Sequence, residues 1–402
     1  MNNSPIFLSK PGIFCAAGES IQALWDSVVN GNQDGIKKVV AISGEEFFAA
    51  RIDDNKIKNS SGRFDMRIIR IEEQALNQIS DIIEITKSKY GVDRIGVCVG
   101  SCDNGTEFSL AGHREYFADG VFNNDYSIEM QGADYVATFI SEKYGITGPS
   151  CAFSTACSSS AGAIIKAAEM IKAGFVDAVI AGGVDIASDT TLLGFNSLGA
   201  ISDEKTNPFS QNRHGITLGE GAAFFVLTKE FLSENENEIK LLGWGESADA
   251  YHMTSPDPSG KGAESSMKKA LDMSFLHPSD IDYINMHGTG TKFNDSMEAK
   301  AINIVFGDNK VPVSTTKAIT GHTLGASASL ELAICYEALV KNKGKNNNIE
   351  LPLQVWDGEQ DANLPELNII DGRNKSIKKE IKTCLSNSFA FGGANASLVI
   401  GF

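Results

Sequence analysis

Three side chains in this 402-residue sequence have the chemistry of acyl transfer: Cys157, His287 and His322. Cys157 lies where a strand-like run meets a helix-like run, in Pro149-Ser150-Cys151-Ala152-Phe153-Ser154-Thr155-Ala156-Cys157-Ser158-Ser159-Ser160-Ala161-Gly162. Downstream, Ala161, Ile164, Ile165 and Ala168 repeat at helical spacing, which predicts the cysteine in or just before a first helical turn. Free N–H groups and the helix dipole there favour a thiolate, so a lowered pKa is expected. Taken alone, such a cysteine reads as well as an inert buried thiol. The two histidines tip the balance: His287 stands in His287-Gly288-Thr289-Gly290-Thr291, and His322 in Lys317-Ala318-Ile319-Thr320-Gly321-His322-Thr323-Leu324-Gly325. A nucleophile with donors or bases placed around one carbonyl is what acyl transfer requires.

These residues must be held by strand ends. Short runs rich in Ile, Val, Ala and Tyr, at Ile95 to Val99, Val176 to Ala181, Ala223 to Leu227, Ile239 to Leu242, Asp282 to Met286, Val311 to Ser314, Thr383 to Ser388 and Ser397 to Ile400, alternate with helical patterns. That alternation indicates an α/β fold with buried sheets. Both imidazoles should then project from the ends of strands in one sheet region. Near the C-terminus, Asn387-Ser388-Phe389-Ala390-Phe391-Gly392-Gly393-Ala394-Asn395 offers consecutive glycines whose backbone N–H groups could face an oxyanion. The polar run Ser233-Glu234-Asn235-Glu236-Asn237-Glu238 is the best internal boundary, dividing 1–235 from 236–402, while Lys341 to Asn348 reads as a surface loop.

With these motifs in place, the chain resembles the β-ketoacyl-acyl-carrier-protein synthases. The likeness runs from Pro11-Gly12 and Cys98-Val99-Gly100-Ser101 through Thr155-Ala156-Cys157-Ser158-Ser159, Ala181-Gly182-Gly183, Asn207-Pro208-Phe209-Ser210 and Gly219-Glu220-Gly221-Ala222 to the Phe391 loop. It implies the thiolase fold: two duplicated α/β halves in α-β-α-β-α layers, the first carrying the nucleophile and the second the histidines and the glycine-rich loop. It also implies roles. Cys157 would take an acyl chain from the phosphopantetheine arm of an acyl carrier protein, and His287 and His322 would both serve decarboxylation of a malonyl-carrier in the second half-reaction. Backbone N–H groups of Cys157 and Phe391 would hold the oxyanion, with Phe391 gating the pocket and Ala390, where the family usually has glycine, stiffening it. Lys317 would orient or charge-bias His322 with Glu331 behind it, Thr289 and Thr291 would bind pantetheine, and Asp295 and Glu298 would order the His287 turn; a plain surface Lys–Glu pair is the alternative for Lys317. Cys102 and Asp103 would lie at the distal acyl channel, where an unpaired Asp103 would have to be desolvated by an apolar tail.

Composition bounds the partners. With 35 basic and 51 acidic residues the net charge is −16, which argues against broad nucleic-acid binding. An acidic carrier would then need a local basic patch, and Arg63, Arg67 and Arg70, three and four apart on a helical pattern, share a face. Asn207 replaces the basic residue that related synthases often carry before the proline, which puts docking there in question. Seven cysteines lack CxxC or Cys/His ligand spacing and read as reduced thiols of a cytoplasmic protein; no metal or bound cofactor is expected. No apolar run reaches the length of a membrane span, about 18 residues. The opening Phe7-Leu8-Ser9-Lys10-Pro11-Gly12 and the Asn207 to Gly215 segment look more like the synthases of bacterial aryl polyene clusters than those of housekeeping fatty acid synthesis. A heterodimer with a chain-length factor then stands beside the usual homodimer. The competing readings are a biosynthetic thiolase, which lacks its second cysteine here, a priming synthase, which would use one His and Asn, and a non-condensing chain-length-factor scaffold, which would lack Cys157.

Overall fold

Runs of Ile, Val and Ala bounded by glycine make strands buried on both faces, and such strands need helices packed across them. The computed structural model describes all residues except 1–4, 61, 63–64, 104, 123–125, 233–236, 308 and 373–379. Its strands are β1 (Ile6–Leu8), β2 (Gly12–Cys15), β3 (Ile36–Val40), β4 (Glu46–Ala50), β5 (Ile95–Gly100), β6 (Ser150–Phe153), β7 (Ala178–Asp185), β8 (Leu218–Gly219), β9 (Gly221–Thr228), β10 (Ile239–Ala248), β11 (Tyr283–Asn285), β12 (Pro312–Ser314), β13 (Asn368–Ile369), β14 (Thr383–Phe389) and β15 (Ala394–Gly401). The helices are α1 (Ile21–Asn30), α2 (Arg67–Asn77), α3 (Ser80–Tyr90), α4 (Thr106–Asp119), α5 (Tyr135–Tyr144), α6 (Ser159–Lys172), α7 (Asp189–Ser197), α8 (Lys261–Ser274), α9 (Lys292–Phe306), α10 (Lys317–Thr320) and α11 (Ser327–Asn342).

The same topology occurs twice. In the first half the order is β6-β5-β7-β9, with β5 parallel to β6 and β7, and β9 antiparallel to β7. In the second it is β12-β11-β14-β15, with β11 parallel to β12 and β14, and β15 antiparallel to β14. Strand β1 pairs antiparallel with both β9 and β10, and β10 with β15, so the halves share one continuous sheet that folds over itself. Helices α6 and α11 pack on each other and on strands of both halves; α2, α3 and α5 cover one outer face, and α8 and α9 the other. This is the expected five-layer arrangement.

The central helices are buried on nearly every side, which explains their small and apolar sequences. Close approach of α6 to the sheet depends on glycine: a Cβ on Gly100 would lie 2.2 Å from Ser160 N, and one on Gly183 2.7 Å from Ser160 Cβ. All eight expected strand runs are present. The run at Ile239 continues as far as Ala248, because Gly243 and Gly245 serve contact with α8 instead of turning the chain; a Cβ on Gly245 would meet Ser266 O at 2.0 Å. Periodicity does not announce the small sheet of β3, β4 and β8. The surface loop expected from Lys341 begins later, since α11 runs through Asn342, whose buried amide donates to the Ala338 and Glu350 carbonyls. The expected boundary at 235/236 touches residues outside those described. No described helix is long and apolar enough to cross a membrane.

Candidate active site

Cys157 sits in a single 3-10 turn, Ala156–Ser158, directly before α6, as the helical spacing predicts. Ala156 adopts the left-handed region at φ 52°, a conformation that disfavours any residue with a Cβ. The turn is held by Ser159, whose hydroxyl accepts from Thr155 N–H at 2.9 Å and donates to the Ala156 carbonyl at 2.6 Å. The topologically equivalent turn of the second half, Leu324–Ala326 before α11, repeats this: Leu324 has φ 47°. His322 stands just ahead of it, pinned by His322 N–H to Thr217 O at 2.7 Å and by Gly219 N–H to His322 O at 2.9 Å. Duplication therefore presents the nucleophile from one half and an imidazole from the other. His322 Nε2 and Cys157 Sγ are 2.9 Å apart.

His287 follows β11 in a turn organised from α9. The Glu298 carboxylate accepts from His287 N–H at 2.8 Å and Gly288 N–H at 2.7 Å, while Asp295 accepts from Gly290 N–H at 3.2 Å and Phe209 N–H at 2.8 Å. The two imidazoles meet edge to face, 5.3 Å between centroids. Lys317 is fully buried, and its ammonium donates to the His287 carbonyl at 2.5 Å and lies 3.4 Å from His287 Nδ1, so it orients His287 and not the expected His322, on which it acts through its charge alone. It ion-pairs with Glu331 across α10 and α11, both side chains being buried, which excludes the surface-pair alternative.

Burial governs the charges. Desolvation pushes the Cys157 thiol up to about 11, against the opposing pull of the Lys317 charge and of a hydrogen bond from the Phe391 backbone N–H. The expected lowering is thus overturned: the resting nucleophile is a thiol beside an imidazole, because burial of the sulfur outweighs the Lys317 charge and the Phe391 N–H. Desolvation, then the Lys317 charge, hold both histidines well below their ordinary value, so both are neutral. Burial also raises Glu298, to about 8. Donor atoms of Cys157, His287 and His322 lie within 4.8 Å of one another, but the Lys317 ammonium raises the energy of any added cation there.

A cavity of about 380 Å³ opens onto Cys157, His287 and His322 and is lined by Thr289, Thr291 and Phe391. Thr291 also caps α9, and its hydroxyl lies 3.0 Å from that of Thr289. Phe391 stacks on Phe195 of α7 at 5.8 Å, a partner that no local pattern reveals. Ala390 is extended at φ −97°, a conformation open to any residue. Other expected positions lie elsewhere. Neither Cys102 nor Asp103 lines this cavity; Asp103 accepts from Tyr135 O–H and Gly105 N–H, both at 2.7 Å, so it is paired, and it faces a separate cavity of about 170 Å³. Of the expected docking face, Arg63 lies outside the described residues, and Arg67 turns inward to Glu220, at 2.5 Å, and to Asp54. Arg70 pairs with Asp65 at 2.7 Å. Asn207 donates to Asp357 at 2.8 Å.

A buried cysteine at the start of a central helix, two neutral histidines and a lysine, on a duplicated five-layer scaffold, define a thiolase-fold acyl-transfer class of protein. The models of the β-ketoacyl synthase N-terminal and C-terminal domains match residues 11–231 and 239–346, and the chain belongs to the β-ketoacyl synthase family. It is 30% identical to 3-oxoacyl-[acyl-carrier-protein] synthase 2 of Coxiella burnetii over 100% of this chain and 99% of that protein. Against the protein of the same name from Staphylococcus aureus strain COL the identity is also 30%, over 99% and 98%. Among solved structures, the ketosynthase ApeO in complex with its chain length factor ApeC from Xenorhabdus doucetiae aligns with a TM-score of 0.88 and 33% identity, covering 99% of this chain and 98% of that one. The ishigamide ketosynthase/chain length factor, at 24% identity and a TM-score of 0.87, shares the fold.

Proposed function

We propose that the protein condenses a Cys157-bound acyl chain with malonyl-acyl-carrier protein, with loss of CO2, to give a β-ketoacyl-carrier. The observation that carries this is the 2.9 Å contact between His322 Nε2 and Cys157 Sγ beside His287, at the floor of a cavity. A thiol at about 11 needs a base, so His322 takes the Cys157 proton as sulfur attacks the thioester carbonyl of an acyl-carrier's phosphopantetheine arm. Collapse expels the carrier thiolate, which recovers that proton. Malonyl-carrier then enters. Its terminal C–C bond breaks, CO2 leaves, and the electron pair is held as an enolate whose oxygen accepts from the neutral imidazoles of His287 and His322. Neutral donors suit this step, since they stabilise the oxyanion without becoming stronger acids than the enol. The enolate carbon attacks the acyl-Cys157 carbonyl. Backbone N–H groups of Cys157 and Phe391 hold the resulting oxyanion, one such donor being worth about 3–4 kcal/mol, and collapse expels Cys157 as a thiolate that takes a proton from water to restore the thiol.

Thr289 and Thr291, on the cavity wall, would bind the pantetheine arm, and Phe391 against Phe195 would gate the acyl pocket. Lys317 with Glu331, and Asp295 with Glu298, hold the histidine turn. Likeness to the ApeO complex supports a chain-length factor as the partner, and the Phe7 to Gly12 and Asn207 to Gly215 segments support an aryl polyene type of pathway over housekeeping fatty acid synthesis. Seven free cysteines support a reducing, cytoplasmic setting. A non-condensing scaffold role is disfavoured by the complete Cys157, His287 and His322 set. Intact-protein mass spectrometry after exposure to acyl-carrier should show one acyl adduct, absent from Cys157→Ala; an adduct persisting on another cysteine refutes the assignment.

A further inference from the structure

Asp185, the last residue of β7, is fully buried and belongs to no step above. A single oxygen, Oδ2, accepts from Cys102 N–H and from Gly325 N–H, each at 2.8 Å, while Oδ1 takes the Ile186 N–H at 3.3 Å. Each amide leads to one half of the catalytic pair. Gly325 lies in the Leu324–Ala326 turn, three residues after His322. Cys102 reaches the other turn through its thiol, which donates to the Ala156 carbonyl at 3.3 Å, the peptide group that precedes Cys157. Space at this junction is tight: a Cβ on Gly325 would stand 2.8 Å from Asp185 Oδ2 and 2.8 Å from Cys102 N.

Both turns contain a non-glycine residue in the left-handed region, Ala156 and Leu324. Such conformations persist only where the surroundings over-determine them. The two turns come from different halves and from residues about 170 apart in sequence, so their relative placement needs a direct link; α6 and α11 supply one further up, where Ser329 N–H donates to Ser160 Oγ at 3.0 Å. Nearest the reacting atoms the link is the Asp185 carboxylate.

We infer that Asp185 is a positioning residue: by accepting both amides on one oxygen it locks the Cys157 turn to the turn that follows His322 and so sets the Cys157–His322 contact. This rests on the acyl-transfer reading for its purpose, but the contact itself is measurable without substrate. A neutral amide keeps an oxygen able to accept both N–H groups, so Asp185→Asn should preserve the lock, and Asp185→Ala should release it.

The test is a cycle on the pH profile of Cys157 alkylation by iodoacetamide, read on the peptide containing Cys157. Groups facing this sulfur are Lys317, Asp185, Glu331, His322 and the Phe391 N–H. His322→Ala should move the profile in the wild-type and Asp185→Asn backgrounds and leave it unmoved in Asp185→Ala, where the contact is already broken. Condensation should follow: kcat lower by about tenfold or more in Asp185→Ala, with KM for acyl-carrier within about twofold, and kcat in Asp185→Asn within about threefold of wild type. An equal His322→Ala shift in all three backgrounds overturns the lock, as does Asp185→Asn failing like Asp185→Ala. Should Asp185→Ala not fold, Asp185→Asn decides alone: loss of the His322 response refutes the proposal, and its retention with near-normal condensation supports it. Wild-type protein that shows the His322 response but condenses no acyl-carrier sinks the proposed function and leaves the lock standing.

Discussion

At the scale of single residues, the site works by keeping the nucleophile and both imidazoles neutral until substrate arrives. A thiol at about 11 alkylates slowly at neutral pH, so the rate of Cys157 labelling should climb steadily above pH 8 toward that value instead of levelling near 7. A plateau by pH 7.5 would show a preformed thiolate and contradict the electrostatics. The same contact revises the division of labour between the histidines. Since His322 is the group touching Cys157 Sγ, His322→Ala should slow acylation by about 10²-fold or more as well as abolish CO2 release from malonyl-carrier, whereas His287→Ala should be acylated at close to the wild-type rate and fail only at decarboxylation. Time-resolved intact mass and trapped CO2 separate the two; equal acylation defects would show that the imidazoles share one role.

Among elements, the informative object is the buried Lys317–Glu331 pair that joins α10 to α11 beneath His287. Glu331→Ala leaves a buried ammonium uncompensated and should lower stability by about 3–5 kcal/mol, seen as a fall in the denaturant midpoint, with Lys317→Met/Glu331→Leu recovering much of it. A drop below 1 kcal/mol for Glu331→Ala would mean that Lys317 finds solvent or another anion. This pair also marks where sequence reading stops. Cys157, His287 and His322 are legible because nucleophile and imidazoles stand in small-residue turns at strand ends, a local signal. Which histidine Lys317 braces depends on how α10 sits against β11, and no spacing carries that. Arg67 looked available because its helix face is periodic, but Glu220, between β8 and β9, comes to meet it from 153 residues away. The partner of Asp103, the Tyr135 hydroxyl, could not be read from sequence because it belongs to α5. Long-range pairing of charged and polar groups decides such positions, and it is the part of a fold that motifs do not encode.

For the whole molecule, the buried acids and histidines set an unusual dependence of stability on pH. In the unfolded chain Glu298 and Asp185 ionise near 4, while in the folded protein burial raises them to about 8 and about 7, so folding holds protons that the unfolded chain has lost. Stability contributed in this way falls as pH rises toward the folded values. The buried histidines act oppositely: below about 6.5 they take up protons only when unfolded, so acid destabilises. The two terms oppose each other between about pH 4.5 and 6.5, and above that only the acids remain. Stability should therefore drop by about 2 kcal/mol between pH 6.5 and 8, and Glu298→Gln should remove most of the drop. Urea midpoints at the two pH values test this, and unchanged midpoints would refute it. Synthesis imposes a different demand. The three-residue strand β1 lies between β9 and β10, and those partners leave the ribosome more than 200 residues after it. At about 5–20 residues per second, β1 waits roughly 10–45 s for them. Cys157 is made before that interval ends, on a nascent half-sheet whose open edge has no neighbour, and the imidazole that will take its proton has yet to be translated.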